Sequence, residues 1–333
     1  MASRAAAALF LLPPPPSFSL AEVKVSFEQP LSDVLSRLGQ SVRGTDKIAI
    51  LDIALAVPTL HSASNKPQAK IFPPLQHYLA SFYTLIGAIA TARDIELDSP
   101  GGLDIRVVFL DQPTSSQDVS YTGSHFETGP IVSLQTIASS GRQWDQIFYL
   151  GNTAGQELRP LFWEASRKRP EVQQYRKPPP YLVPGIEPIG PNSPDRERIL
   201  TIGVTGDELL KKKKYAECLE SWEQRYQSTA AFLSAIMDFT GNKNLEVERT
   251  RTADGRGQVV LLQVQPYLRF KFEEFFDVCG PTATDEEITA LVLSKETQAG
   301  GAFVNSERAK KGWHTLAVFE VDVLHSGRGH GYQ

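Results

Sequence analysis

The segment that decides the fold class is KIAILDIALAV, from Lys47 to Val57. It is almost wholly apolar, and Gly44 and Pro58 bound it. An uninterrupted apolar run between two such breakers is typical of a β-strand that is buried on both faces of its sheet. Strands of this kind occur in parallel sheets covered by helices, so the segment predicts an α/β fold.

Strands and helices alternate on both sides of this segment. Residues Ala5 to Leu12 have the apolar character of a short signal-peptide core, but they carry one basic neighbour and end at four prolines, so we predict a first strand there. The elements predicted after Val57 are a helix at Pro74–Arg93, a strand at Ile105–Leu110, a helix at Ile131–Ala138, a strand at Gln146–Leu150 and a helix at Gln156–Lys168.

A proline-rich segment separates the two halves of the chain. Seven prolines lie between Pro178 and Pro194, and no apolar periodicity accompanies them. Such a composition favours an extended linker over a packed element. The sequence therefore predicts an N-terminal α/β domain over residues 1–168, a linker over 169–198, a second domain over 199–324 and a glycine-rich tail over 325–333.

The second half resumes the same alternation of strands and helices. A buried strand is predicted at Ile199–Val204, and acidic residues followed by lysines predict a helix that begins at Asp207. The spacing of Thr284–Glu287 is that of a capping box, which favours a helix start before Ile288–Leu293. The remaining predicted elements are a long amphipathic helix at Tyr215–Phe239 and strands at Leu245–Arg251, Val259–Val264 and Trp313–Leu324.

Composition limits the classes of partner. Of the 333 residues 41% are hydrophobic, which is enough for a core, and the net charge of −4 gives no general attraction for nucleic acid or an anionic membrane. No apolar stretch approaches the ~20 residues of a membrane span. The two cysteines cannot form a disulfide framework or a zinc site, so we expect a reducing, cytoplasmic setting and no bound metal.

Elimination of known motifs leaves three candidate phosphate-binding features. The sequence has no Walker loop, dinucleotide glycine motif, H-E-x-x-H or G-x-S-x-G, and its six histidines are scattered. Thr205 and Asp207 follow a strand whose small residues leave backbone N–H groups open, at the end of a sheet where α/β proteins bind ligands. The other candidates are the lysine run Lys211, Lys212, Lys213 and Lys214, and the set Ser294, Glu296, Thr297, Gly300, Gly301, Asn305 and Arg308.

Each feature has an ordinary structural alternative. A lysine run is equally typical of a solvated helix end, and hydroxyls with glycines also make a surface turn.

Three longer segments together point to one family. These are LTIGVTGDELLKKKKYAECLESWEQR from Leu200, GPTATDEEITALVLSKETQAGGAFVNSER from Gly280 and FEVDVL from Phe319. They resemble the C-terminal part of the eukaryotic pantetheine-phosphate adenylyltransferases, in the HxGH nucleotidyltransferase superfamily. The first half looks like the extra N-terminal domain of the fungal members.

The resemblance implies a Rossmann-like, cytidylyltransferase-like second domain and a place in coenzyme A biosynthesis. The implied reaction is adenylyl transfer from ATP, with Mg²⁺, to 4′-phosphopantetheine, giving dephospho-coenzyme A and pyrophosphate. The residues of the three candidate features match substrate-enclosing and nucleotide-binding loops of the family. Glu223 and Arg225 match a Glu-Arg pair on a helix, for which a structural ion-pair role is at least as well founded.

One departure from the family dominates the functional prediction. The family's first strand, its glycine-rich H-x-G-H loop and the following helix should precede Ile199, but the proline-rich segment occupies that place. The resemblance assigns transition-state stabilisation to those histidines, so their absence predicts a loss of several orders of magnitude in rate. We therefore predict no catalytic residue in this sequence, and a skipped exon or an erroneous gene model would explain the loss.

Two alternatives stay open. The first is a catalytically silent protein that binds a nucleotide or coenzyme A, or acts as a scaffold with protein partners on the N-terminal domain. The second is a cytidylyltransferase that acts on another phosphorylated alcohol.

Overall fold

A computed structural model describes residues 6–57, 68–111, 129–167, 198–239, 245–265 and 268–324, with the side chains of the second helix described from residue 72. The chain divides into two compact units, unit 1 mainly from residues 1–179 and unit 2 mainly from residues 180–321. The predicted linker falls almost wholly on residues 168–197, outside the described residues, so the predicted domain boundaries stay a prediction.

Unit 1 is a parallel α/β structure, as the sequence predicts. Its five strands are all parallel and follow the order β4-β3-β2-β1-β5. The strands are β1 (Ala7–Leu12), β2 (Ala49–Ala56), β3 (Leu103–Leu110), β4 (Ile131–Val132) and β5 (Gln146–Tyr149). The helices are α1 (Leu20–Val42), α2 (Gln68–Arg93), α3 (Leu134–Ser139) and α4 (Thr153–Arg167).

The two faces of this sheet pack against different helices. Phe10 of β1 belongs to a large buried cluster that includes Phe27 of α1 and Phe82 of α2. Because side chains alternate along a strand, Leu11 points to the opposite face, where it lies near Phe162 of α4. Every residue of β1 is buried, which is the state expected of a strand covered on both faces.

Unit 2 contains two separate sheets. One is a four-stranded mixed sheet of order β6-β9-β8-β7, in which β6 and β9 are parallel and the other pairs antiparallel. The other is a two-stranded parallel sheet of β10 and β11. The strands are β6 (Arg198–Thr205), β7 (Glu246–Arg251), β8 (Gln258–Gln265), β9 (Leu268–Phe275), β10 (Ala290–Ser294) and β11 (Ala317–Val321), and the helices are α5 (Asp207–Leu210), α6 (Trp222–Met237) and α7 (Gln298–Lys310).

Helix α6 covers the core of the four-stranded sheet. Trp222 and Tyr226 pack with Phe270 and Phe272 of β9 in one buried cluster. The helix begins at a capping box, in which the Ser221 hydroxyl accepts from the backbone N–H of residue 224 while that side chain accepts from the Ser221 N–H. The helix was predicted to begin at Tyr215, and this cap explains why it begins at Trp222 instead.

Several predictions for unit 2 are wrong. The helix predicted from Asp207 spans four residues only, and the long helix predicted at Tyr215–Phe239 spans only Trp222–Met237, so Leu219 lies outside it and is 45% exposed. The apolar residues before Ser294 form strand β10, not a helix. Strand β6 is not buried on both faces: only Val204 is fully buried within it.

Two further differences concern unit 1. The sequence prediction contains no helix at Leu20–Val42, although α1 is one of the two helices over the main core. The helix predicted at Ile131–Ala138 is a two-residue strand followed by α3, which begins after Ser133; the Ser133 hydroxyl accepts from the N–H of Thr136. Among the described residues, no helix has the length and apolarity needed to cross a membrane.

Candidate functional site

The carboxyl end of β6 carries the first predicted feature. Strand β6 ends at Thr205, and Gly206 makes the turn into α5, with its N–H donating to the carbonyl of Phe275 at 2.8 Å. A Cβ atom at Gly206 would lie 2.4 Å from Cε1 of Phe276, so a larger residue would displace an aromatic ring. Glycine at this position therefore lets the loop lie close to the aromatic residues after β9.

Arg225 of α6 holds this loop in place. Its Nη2 donates to the carbonyl of Thr205 at 2.9 Å and to Oδ1 of Asp207 at 2.6 Å, and its Nε donates to the carbonyl of Glu220. Asp207 is therefore already engaged by a cation. Glu223 does not share these partners, since it forms an ion pair with Arg249 of β7 at 2.8 Å.

A second carboxylate lies close to this loop. Partial burial, with a smaller contribution from the negative charge of Asp207, raises the pKa of Glu274 above its usual range. The backbone N–H of Gln258 donates to Oε2 of Glu274 and opposes that shift. Two acidic groups therefore lie near this loop, and the positive charges of Arg251 and Arg225 both act on Glu274 to lower its pKa. The predicted lysines, Lys211 to Lys214, are all exposed.

The hydroxyl and glycine set begins at the carboxyl end of β10. The Thr297 hydroxyl donates to the carbonyl of Ser294 at 3.0 Å, and the two hydroxyl oxygens are 3.2 Å apart. Glu296 between them is exposed. Gly300 has open space where a Cβ would lie, whereas a Cβ at Gly301 would be 2.9 Å from Leu293, so Gly301 allows α7 to pack closely on β10.

Arg308 lies elsewhere, in the interior of unit 2. It is fully buried, and its guanidinium donates five hydrogen bonds to backbone carbonyls. The acceptors are the carbonyl oxygens of Thr282, Asp285, Glu286, Ile288 and His314, at 2.8 to 3.2 Å. This geometry gives Arg308 the role of a structural clamp and does not favour its predicted contact with a phosphate.

Asn305 also has a structural role. Its Nδ2 donates to the carbonyl of Leu316, and the N–H of Leu316 donates to its Oδ1 at 2.7 Å. This reciprocal pair fixes α7 to the segment that leads into β11.

The structure thus divides the predicted site residues into three groups. Thr205 and Asp207 lie with the exposed lysine run at the end of β6, and Ser294, Glu296, Thr297 and Gly300 lie at the end of β10. The packing group comprises Gly301, Asn305 and Arg308. Glu274 is not among the predicted site residues, because strand β9 was not predicted; the alternating apolar and charged pattern LRFKFEEF was the available signal.

The protein belongs to the α/β class, with a helix-covered parallel sheet that precedes a second unit with its own sheets. A family model described as "Domain of unknown function (DUF8446)" matches residues 1–185, more than half of the chain. The chain belongs to this family.

Curated relatives match a shorter part of the chain. It is 33% identical over 125 residues to the phosphopantetheine adenylyltransferase of Saccharomyces cerevisiae, covering 38% of this chain and 32% of the relative. An uncharacterized protein of Schizosaccharomyces pombe is 33% identical over 124 residues, covering 37% of this chain and 30% of the relative.

An archaeal relative is covered to a larger extent. The phosphopantetheine adenylyltransferase of Pyrococcus furiosus is 24% identical over 131 residues, which are 39% of this chain and 64% of the relative. The chain therefore spans about a third of the two yeast relatives and just under two thirds of the archaeal one. No solved structure matches the chain significantly. These matches make the chain a distant relative of proteins named phosphopantetheine adenylyltransferase.

Proposed function

We propose that the chain is a pantetheine-phosphate adenylyltransferase relative of coenzyme A biosynthesis that binds substrates through unit 2 but does not transfer the adenylyl group. The observation that carries the proposal is the match of 125 to 131 residues to proteins named phosphopantetheine adenylyltransferase. The two free cysteines among the described residues fit a reducing, cytoplasmic setting.

The arrangement of unit 2 supports the view that one parallel strand is missing from it. Among the described residues, strand β6 pairs with β9 alone, and Ile199 is 54% exposed. Strands β10 and β11 form a parallel sheet of two strands only, and Val292 is 59% exposed. Parallel sheets normally have both faces covered, and two-stranded sheets are marginal on their own. One parallel strand paired with β6 and β10 would join the two sheets, and the family's H-x-G-H segment begins with such a strand.

The proposed binding chemistry uses the groups at the two carboxyl ends. The exposed lysines of the β6 loop would neutralise phosphate as point charges, and the hydroxyls of Ser294 and Thr297 would donate to a nucleotide phosphate. Mg²⁺ would enter with ATP. Nothing in this set replaces the histidines that stabilise the transition state, so positioning alone leaves the transfer step slow.

Calorimetry on the full chain, with ATP–Mg²⁺ and with dephospho-coenzyme A, tests binding. We expect saturable binding of at least one ligand, and about tenfold weaker binding when Lys211 and Lys213 are both changed to Glu, which corresponds to a loss of about 1.4 kcal/mol. Lys24→Glu on α1 is the control, since this lysine is also exposed, where it pairs with Glu28, but lies in unit 1. Absence of binding to both ligands by the folded chain would contradict the proposal.

Two further measurements separate the catalytic question from the binding question. Pyrophosphate release from ATP and phosphopantetheine should be negligible, and turnover at an enzyme-like rate would refute the inactive state. Sequencing of the transcript tests the origin of the departure. A continuous message from the Tyr175 codon to the Ile199 codon, with no added H-x-G-H segment, rejects the gene-model explanation.

A further inference from the structure

Unit 1 has an open groove between helix α4 and strand β5 that the proposed function does not use. The groove holds a cavity of about 110 Å³ lined by Leu11, Ile147, Tyr149, Arg159, Phe162 and Trp163. Within unit 1, Tyr149 is 38% exposed and Trp163 is 49% exposed, so two large aromatic rings stand at the rim of this cavity. Exposed aromatic side chains beside an apolar cavity are more typical of an interaction site than of the rest of a protein surface.

Strand β5 supplies a backbone edge beside the groove. It is the last strand of the five-stranded sheet and pairs with β1 only, in the part of the chain that the structure describes. No other described strand pairs with the outer edge of β5, so its backbone N–H and C=O groups over Gln146–Tyr149 are available for a further strand. An extended peptide satisfies such groups by adding a strand, and its alternate side chains then point into the neighbouring groove.

Arg159 gives the groove a charge preference. Its guanidinium lies over the ring of Tyr149, 5.2 Å from the ring centroid, and it makes no ion pair with any described residue. A cation held in this way on an aromatic rim is complementary to a carboxylate.

The volume of the cavity limits the size of the apolar side chain that a bound peptide can insert. A dry cavity of about 150 Å³ accepts benzene, so 110 Å³ accommodates one branched aliphatic side chain. Side chains two residues apart on a strand lie on the same face, about 6.6 Å apart.

We propose that this groove binds an extended acidic peptide segment, which adds to β5 as a sixth strand, inserts an aliphatic side chain over Leu11 and Ile147, and pairs an acidic side chain two residues away with Arg159. The occupant is a partner polypeptide. The outer edge of β5 requires an extended backbone, and charge complementarity to Arg159 requires an acidic side chain.

The test uses a random heptapeptide library displayed on phage and selected on the full chain. We expect enriched sequences that share an aliphatic residue and an Asp or Glu two positions apart. Binding of a synthetic peptide from that set, followed by fluorescence polarisation, should weaken at least about tenfold in Arg159→Glu, and selection on Arg159→Glu should favour Lys or Arg at the same position. Trp163→Ala should weaken binding as well.

Arg167→Glu is the matched control, because Arg167 is an exposed basic residue on the same helix and does not line the cavity. It should leave the affinity unchanged, and circular dichroism should show that all three variants remain folded. No consensus among selected peptides, or a consensus indifferent to Arg159→Glu, would overturn the proposal. Concentration-dependent dimerisation of the chain that Arg159→Glu abolishes would also overturn it, because a second copy would then fill the groove.

Discussion

Strands β1 and β6 differ in both sequence and surroundings. Strand β1, AALFLL, is wholly apolar, has a strand on each side and helices over both faces, and all six residues are buried. Strand β6, RILTIGVT, has four apolar residues out of eight and one neighbouring strand among the described residues, and most of its residues are partly or largely exposed. Both sequences form strands, but burial depends on apolar content and on the strands and helices that surround the strand.

The difference has a thermodynamic consequence. Apolar burial stabilises by roughly 25 cal/mol per Å² removed from water, so the buried inner strands of unit 1 gain much more per residue than β6, β10 and β11 do. Exposed strand edges also favour association with other chains. We infer that unit 1 is the stable part of the chain and that unit 2 depends more on specific polar contacts.

The largest expected effect comes from removal of an aromatic side chain from β1. Phe10 is 1% exposed and packs edge-to-face on Phe148, with ring centroids 6.2 Å apart. Phe10→Ala should lower the free energy of unfolding of unit 1 by about 3–5 kcal/mol, because it leaves a cavity in a close-packed core. Ile199→Ala in β6 should change stability by no more than about 0.5 kcal/mol.

Urea unfolding of the full chain measures both changes, and hydrogen exchange of fragments from each unit assigns the transition to one unit. Equal destabilisation by the two substitutions would mean that Ile199 contributes as much to stability in β6 as Phe10 does in β1.

Arg308 tests whether unit 2 depends on polar contacts. Arg308→Met keeps much of the side-chain volume but removes a buried guanidinium that donates to five backbone carbonyls, so we expect a loss of at least about 3 kcal/mol from unit 2. Lys310→Met, two residues further along α7, removes only an exposed ion pair with Glu307 and should cost less than about 1 kcal/mol. A small effect of Arg308→Met in the same urea experiment would contradict the role of a clamp.

The elements of unit 1 were largely predictable from sequence because their signals are long and uniform. The apolar run at Lys47–Val57 corresponds to β2 with shifts of one or two residues at its ends, and the periodic segment at Pro74–Arg93 corresponds to α2, which begins six residues earlier, at Gln68. Helix α1 was not predicted. It contains Pro30, and its amphipathic pattern follows directly after four prolines, which are typical of a loop.

Unit 2 was less predictable because short segments there depend on tertiary contacts. Strand β10 has only four apolar residues, Ala290 to Leu293, followed by Ser294, which is too short a run for periodicity to distinguish a strand from a helix. Strand β9 alternates apolar and charged residues, and its Lys271 is neutralised by Glu273 and Asp285, a partner beyond the strand. The site residues were hard to predict for the same reason. Arginine is a common phosphate ligand, but the guanidinium of Arg308 is enclosed by carbonyls from residues 282–288 and 314.

A smaller effect is expected from a tyrosine hydroxyl in the core of unit 1. Tyr78 is fully buried, its hydroxyl has no hydrogen-bond partner among the described residues, and burial raises its pKa above the usual range. Tyr78→Phe should therefore raise the free energy of unfolding by about 1 kcal/mol, because it removes an unsatisfied polar group without changing the ring.

Tyr83 is the matched control on the same helix. Its hydroxyl accepts from the N–H of Val107 at 3.3 Å, and burial raises its pKa to about 12. Tyr83→Phe should be neutral or destabilising in thermal unfolding. Destabilisation by Tyr78→Phe would show that its hydroxyl has a partner in solution.

The smallest expected effect is a pH dependence confined to unit 2. The hydrogen bonds from Arg249 hold the pKa of Glu223 below its ordinary value of 4.5. Since the pKa is lower in the folded chain than in the unfolded chain, this contribution is fully present above pH 4.5 and is lost as the pH falls through the folded value. Arg249→Gln should remove this part of the acid sensitivity of unit 2.

Both groups of this pair are about half exposed, so solvent screening keeps the contribution small, and 1 M salt should weaken it further. Hydrogen exchange of the β7–β8 segment at pH 3 and pH 6, in the wild type and in Arg249→Gln, measures the change. Exchange in unit 1 should be unaffected by the substitution at either pH, because its sheet has no part in the pair. An equal response of both units to Arg249→Gln would mean that the stability of unit 1 is coupled to that of unit 2.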